Sequence, residues 1–412
     1  MRRLQGVTNV GVRAGGFAVA AALMLVVTTG TLPADASMTA NFADSSTATT
    51  TTTGSTATTI TGSTATPTPG TIAAKAYARM TRAQRVGQLL MAAVPSTGSS
   101  SALRAKLADN RVGNVILIGE TDAGVTAVAE VVAPVRRATT EAGVLPYVAV
   151  DQEGGYVQHL SGSGFSRIPT ALHQGGIAPS TLRSDWGRWA RQLRRSSVNL
   201  DLAPVADVVP ASIGRSNEPI GRYYREYGHT PSVVSSHVGA VVRGIRDAGI
   251  GATVKHFPGL GRATGNTDTM AGVTDPTRRG DPFLAPFQRA VDAGAPMVMV
   301  STAIYPNIRA HIIGAFSRFI VTRMLRHDLG FSGVIVSDSL TAESVRSRSY
   351  ADRATRALDA GVDILLVTDN AAVGPMRSAI VSRLKTDDVF AGRVKAAVMK
   401  VLTAKARAGL IS

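Results

Sequence analysis

From Ala73 onward, short apolar runs rich in β-favouring residues alternate with longer stretches whose apolar positions recur at helical spacing. That alternation is the pattern of βα units around a parallel sheet. The candidate strands are Val86–Val94, whose start reads partly as helix, Val112–Ile118, Pro146–Asp151, Asn199–Pro204, Ala252–His256, Met297–Ser301, Gly333–Ser337 and Asp363–Thr368. Eight strands are what a single (β/α)8 barrel of the TIM type requires, so the expected fold class is α/β. Helices are expected at Ala123–Ala142, with Pro134 kinking or breaking it, and at Pro231–Ala248, Ser317–Leu329, Glu343–Ala360 and Phe390–Ala408. Gly361 and Gly409 are placed to stop the last two. A doubly wound open sheet is the alternative, but no Gly-x-Gly-x-x-Gly turn follows the first strand to support it.

Before Ala73 the pattern is different. Met1-Arg2-Arg3, a further cation at Arg13, an apolar stretch from Ala14 to Val27 and the exit Ala34-Asp35-Ala36 describe a secretory signal peptide over residues 1–36, cleaved after Ala36. An uncleaved N-terminal anchor is the other reading, and either puts the protein outside the cell or in its envelope. Residues 37–72 are mostly Thr, Ser, Ala, Gly and Pro, with the near-repeats Thr53-Gly54-Ser55-Thr56-Ala57-Thr58 and Thr61-Gly62-Ser63-Thr64-Ala65-Thr66. Such a segment has too few large apolar side chains to offset the entropy of ordering, so a disordered tether is expected, with the folded domain spanning 73–412.

Composition narrows the chemistry. The 412 residues contain no cysteine, which excludes disulfide scaffolds, thiol nucleophiles, Fe–S clusters and thiolate zinc sites. The histidines at 173, 229, 237, 311 and 327 show no metal-ligand spacing, so no metal and no cofactor is expected. The 44 basic against 28 acidic residues leave a net charge of +16. The excess is mostly arginine and scattered, and no basic block is interleaved with aromatics, so nucleic acid is not expected as a partner. Two readings remain, compositional bias or adhesion to an anionic cell-wall polymer. The chain is expected to act as a monomer.

In a barrel the active site lies at the C-terminal ends of the strands. There the sequence places Asp151-Gln152-Glu153-Gly154-Gly155 after the third strand and Asp201 and Asp207 around the end of the fourth. Lys255-His256-Phe257-Pro258-Gly259 ends the fifth, and Ser337-Asp338-Ser339 the seventh. Any one of these could be a cap or a loop residue, but charged groups at four strand ends converge on one rim.

Three segments carry a resemblance. Val150–Val157, the run Lys255-His256-Phe257-Pro258-Gly259-Leu260-Gly261, and Gly330–Leu340 are similar to the signatures of glycoside hydrolase family 3. The similarity is strongest to its compact single-barrel branch, the bacterial β-N-acetylglucosaminidases that act on peptidoglycan fragments. The resemblance implies a retaining glycosidase that removes terminal β-linked N-acetylhexosamine. Such an enzyme uses one carboxylate as nucleophile and a second group to protonate the leaving oxygen and then activate water. By resemblance Asp338 is the nucleophile, although it could instead cap a helix starting near Thr341. Asp151, Lys255 and His256 match sugar-binding positions, and Arg225 matches a substrate-binding arginine, with Arg222 as the competing assignment.

The sequence departs from the branch at the proton-transfer site. There a histidine paired with an aspartate stands in an Asp-Ser/Thr-His motif, whereas this chain reads Asp268-Thr269-Met270. A thioether cannot transfer a proton. His159 likewise replaces a substrate-contacting arginine. Three readings stay open: Asp268 or another group of this mobile loop acts alone as acid/base, the protein is a catalytically weakened carbohydrate-binding barrel of the envelope, or it is a family 3 β-glycosidase of different sugar specificity. Met270 is expected to pack against its neighbours.

Overall fold

A computed structural model describes residues 66–263 and 265–411. The expected signal peptide and most of the expected tether therefore lie outside the described residues. The first described helix, Pro69–Arg79, begins within the segment read as tether; it is capped by Thr68 and buries Ala73 and Ala76.

Eight parallel strands form the centre. They are β1 (Leu90–Pro95), β2 (Asn114–Ile118), β3 (Tyr147–Val150), β4 (Leu200–Asp201), β5 (Gly251–Phe257), β6 (Met297–Val300), β7 (Val334–Ser337) and β8 (Leu365–Val367). Neighbours pair in sequence order, β1 also pairs with β8 through Leu90 and Leu365, and a parallel bridge between Val336 and Ile364 closes the ring. The fold is the expected (β/α)8 barrel, and all eight expected strand positions are occupied. Their near-continuous apolar character follows from burial on both faces, by the barrel interior and by the helices outside.

The helices differ from expectation in informative ways. Val86 belongs to a short helix, Arg82–Gly87, closed by a Thr81/Gln84 capping box, which explains the helical start of the first run. Pro134 does not break its helix, which runs Gly124–Thr139. The carbonyl that loses its donor there belongs to exposed Glu130, where water can replace the bond, while Val128, Val132 and Val135 pack inward. The expected helix at 317–329 is present as a π-helix, Phe319–Asp328. Glu343–Ala360 is divided into a short 3-10 turn, Glu343–Val345, and an α-helix, Tyr350–Ala360, the latter stopped by Gly361 at φ 106°. Pro179–Arg195 is a further helix; Leu182, Trp186, Trp189, Ala190 and Leu193 face the barrel, and Arg183, Arg188, Arg191, Arg194 and Arg195 are exposed. This part of the basic excess is thus a solvated face.

Candidate active site

The C-terminal rim gathers the strand-end residues into one cluster. Asp151, directly after β3, pairs its Oδ1 with the Lys255 ammonium on β5, and Lys255 Nζ also lies 2.6 Å from Glu153 Oε1. Glu153 in turn accepts two hydrogen bonds from Arg225, from Nε at 2.8 Å and from Nη2 at 2.7 Å. A third donor of Arg225, Nη1, binds the Pro219 carbonyl at 2.7 Å. The guanidinium is therefore held by a fork on one side and the backbone on the other. Burial alone would raise the Glu153 carboxyl, but Arg225 and Lys255 together outweigh it and hold the group down to about 2. Burial would likewise lower Lys255, yet Asp151 and Glu153 keep it above its ordinary value and charged. Two cations and two carboxylates leave this part of the site neutral.

Arg222, the competing arginine, is exposed and stands 3.9 Å from Glu218. Arg225 is the one in the cluster.

His256 is oriented by a second carboxylate. Its Nδ1 lies 2.8 Å from Asp207 Oδ2, and Asp207 Oδ1 accepts from the Leu260 N–H at 2.8 Å. With Nδ1 engaged, Nε2 is the nitrogen left for a ligand. Asp207 thus aims the imidazole and fixes the start of the loop after β5. The Tyr305 hydroxyl donates to the Gly259 carbonyl at 2.9 Å, and Asn217 Nδ2 donates to Leu260 and Ala263, so the root of that loop is pinned. Asp201 is wholly buried beneath the site; burial pushes its carboxyl well above the ordinary range, and its Oδ1 accepts from the Gln152 N–H at 3.1 Å.

Asp338 follows β7. Its N–H donates to the Val300 carbonyl at 2.8 Å, and its Oδ1 accepts from the Ser339 N–H at 2.8 Å. The residue caps no helix: the turn beyond it is preceded by Ala342 and has no side-chain cap. Asp268 stands on the loop after β5, where Asn266 Oδ1 accepts its N–H at 3.0 Å in a local turn. The tip of this loop is docked on the segment that follows Asp338. The Ser344 N–H donates to the Thr267 carbonyl at 3.0 Å, and the Glu343 N–H to the Asp268 carbonyl at 3.3 Å. Removal from water and then the like charge of Asp338 push the Asp268 carboxyl up to about 6, against the opposing pull of His256 and Arg225.

Met270, two residues beyond Asp268, is 49% exposed and lays its thioether over Gly265, where a Cβ would come within 2.6 Å of the sulfur. His159 is half-buried next to Asp151, whose carbonyl lies 3.4 Å from its N–H, and its Nδ1 is sealed from solvent with no hydrogen-bond partner among the described residues. The expected site residues Asp151, Lys255, His256, Arg225, Asp268 and Asp338 all stand on the same rim, and His159 adjoins them. Sequence reasoning assigned no role to Glu153 or Asp207. Both stand in the segments singled out there, but only the ion pairs show what they do.

With this geometry the chain belongs to glycosyl hydrolase family 3: the model of the family's N-terminal domain matches residues 81–404. A β-hexosaminidase of Xanthomonas campestris pv. campestris (strain B100) is 34% identical over 307 residues, 72% of this chain and 88% of that protein. The crystal structure of a β-N-acetylhexosaminidase from Beutenbergia cavernae is similar at a TM-score of 0.78 and 45% identity, covering 79% of this chain and 98% of that one. A family 3 β-N-acetylglucosaminidase from Paenibacillus sp. is similar at 0.72 and 28%, covering 80% of this chain and 63% of that one.

Proposed function

We propose that the protein is a retaining glycoside hydrolase that removes terminal β-linked N-acetylhexosamine, with Asp338 as nucleophile and Asp268 as acid/base. The observation that carries this reading is the docking of the Asp268 loop onto the segment beyond Asp338, and removal from water together with the like charge of Asp338 raises the Asp268 carboxyl to about 6. Asp338 attacks the anomeric carbon while Asp268 gives its proton to the departing oxygen. Once Asp338 is esterified its charge is gone, so the Asp268 carboxyl keeps the effect of desolvation but loses the repulsion that added to it. The same group is then a carboxylate, able to take a proton from the water that cleaves the glycosyl-enzyme. Asp151, Lys255 and His256 hold sugar hydroxyls, and Arg225 is braced by Glu153 beside them.

The names of the similar proteins support N-acetylhexosamine as the sugar. Export through the segment 1–36, a peptidoglycan fragment as the natural glycan and adhesion to an anionic wall polymer are part of the proposal, supported by the residues of that segment and the net charge of +16. The test is release of phenol from an aryl β-N-acetylglucosaminide by the chain beginning at Ser37. Wild type should turn over and Asp338→Ala should not; equal rates from both would overturn the assignment.

A further inference from the structure

Three tyrosines stand on the two segments that supply Glu153 and Arg225, and the hydrolytic chemistry uses none of them. Tyr156 is 66% and Tyr223 40% exposed. The Tyr156 ring meets Tyr223 edge-on with centroids 6.4 Å apart and stacks on Tyr224 at 6.2 Å. The Arg215 guanidinium covers Tyr224 at 5.2 Å. Surface aromatics scattered singly need no explanation, but an exposed Tyr156 in contact with an exposed Tyr223 and a half-buried Tyr224 does.

The backbone shows that their positions are imposed. Tyr156 follows Gly154 and Gly155, both at positive φ; a Cβ on Gly154 would come within 2.4 Å of the Pro169 carbonyl oxygen. Tyr224 has φ 54° and ψ 40°, a left-handed conformation unfavourable for a bulky aromatic residue. Its carbonyl accepts from the Leu172 N–H at 3.2 Å. The loops that carry the rings are the ones that build the site: Tyr156 lies three residues after Glu153, and Tyr224 directly precedes Arg225.

We propose that Tyr156, Tyr223 and Tyr224 form the platform for the second sugar ring of a β-linked substrate, the one released on hydrolysis. This inference rests on the glycosidase reading above. A pyranose presents a face of C–H groups that an aromatic face covers well, with hydroxyls at its edge for phenol and guanidinium groups to reach. In a barrel the terminal sugar enters towards the strand ends, so the remainder of the substrate projects past the rim, where these rings stand. The platform makes the enzyme selective for a saccharide leaving group over a small one.

The test compares N,N′-diacetylchitobiose with methyl β-N-acetylglucosaminide, whose leaving group is too small to reach the platform. In Tyr156→Ala the ratio of kcat/KM for the disaccharide to that for the methyl glycoside should fall by on the order of tenfold, the loss of one aromatic face of contact, mostly through KM. Tyr156→Trp should keep the ratio. An unchanged ratio in Tyr156→Ala, including an equal fall on both substrates, would overturn the platform. Should wild type hydrolyse neither substrate, the glycosidase reading fails and calorimetry separates the two claims. Tighter binding of diacetylchitobiose than of N-acetylglucosamine, lost in Tyr156→Ala, supports the platform by itself; equal affinities overturn it.

Discussion

Glu343 donates its backbone N–H to the carbonyl of Asp268 at 3.3 Å, and Ser344 does the same for Thr267 at 3.0 Å. The loop after β5 and the segment after β7 are thereby joined close to Asp268 and a few residues beyond Asp338. The joint uses main chain only and leaves the side chain of Asp268 out of it, as its proposed role as acid/base requires.

Asp268→Asn should therefore slow hydrolysis of substrates with poor leaving groups by ~10²–10⁴-fold, the usual contribution of a general acid. Activated aryl glycosides, which depart with little protonation, should be affected less in the first step. Azide should partly restore turnover by attacking the glycosyl-enzyme without base help. Equal losses on both substrate types, with no azide effect, would remove Asp268 from the mechanism.

The pH dependence carries a sign. With the Asp268 carboxyl raised to about 6, the acid form is lost as pH rises through that value, and kcat/KM for poorly activated substrates should fall on that limb. Asp338→Asn removes the like charge and should lower the titration point of Asp268, followed by carboxyl carbon NMR. An unmoved midpoint would separate the two groups.

Met270→His restores the Asp-Thr-His order of the branch but places the ring at a site 49% exposed in this protein. The rate should change by no more than about threefold, well below a full general-acid effect. A gain of ~10²-fold on poor leaving groups would show instead that wild type lacks an efficient proton donor.

Glu153 lies between Arg225 and Lys255 with its side chain 3% exposed. Glu153→Gln leaves Arg225 without its carboxylate while Lys255 keeps Asp151, and should cost about 3–5 kcal/mol of stability, read by chemical denaturation. Since the folded carboxyl is held at about 2, its contribution is complete above the ordinary value of about 4.3 and is lost as pH falls towards 2. Wild type should lose stability across that window more steeply than Glu153→Gln.

The exposed arginines of Pro179–Arg195 give the proposed wall adhesion a salt signature. Binding to purified wall should weaken as ionic strength rises and the Debye length falls through about 10 Å at 0.1 M. Retention insensitive to salt would count against it.

Much of this was legible in the order of residues. Period and apolar runs define eight strands because a parallel barrel buries both faces of each, and that demand is written locally. Lys255-His256-Phe257-Pro258-Gly259 and Ser337-Asp338-Ser339 could be placed on one rim because strand direction decides which end a residue occupies. That the helix is not broken at Pro134 has the converse reason: a helix interrupted in its hydrogen bonds survives when its valines pack, and packing is not local. Only the tertiary structure decided which arginine joins the site, since Arg222 and Arg225 differ by what lies 72 residues away at Glu153. The same holds for Asp207 beneath His256, for the three tyrosines, and for the desolvation, and then the charge of Asp338, that raise the Asp268 carboxyl. Each is a relation between segments distant in sequence, and electrostatic and stacking energies depend on the separations that folding sets.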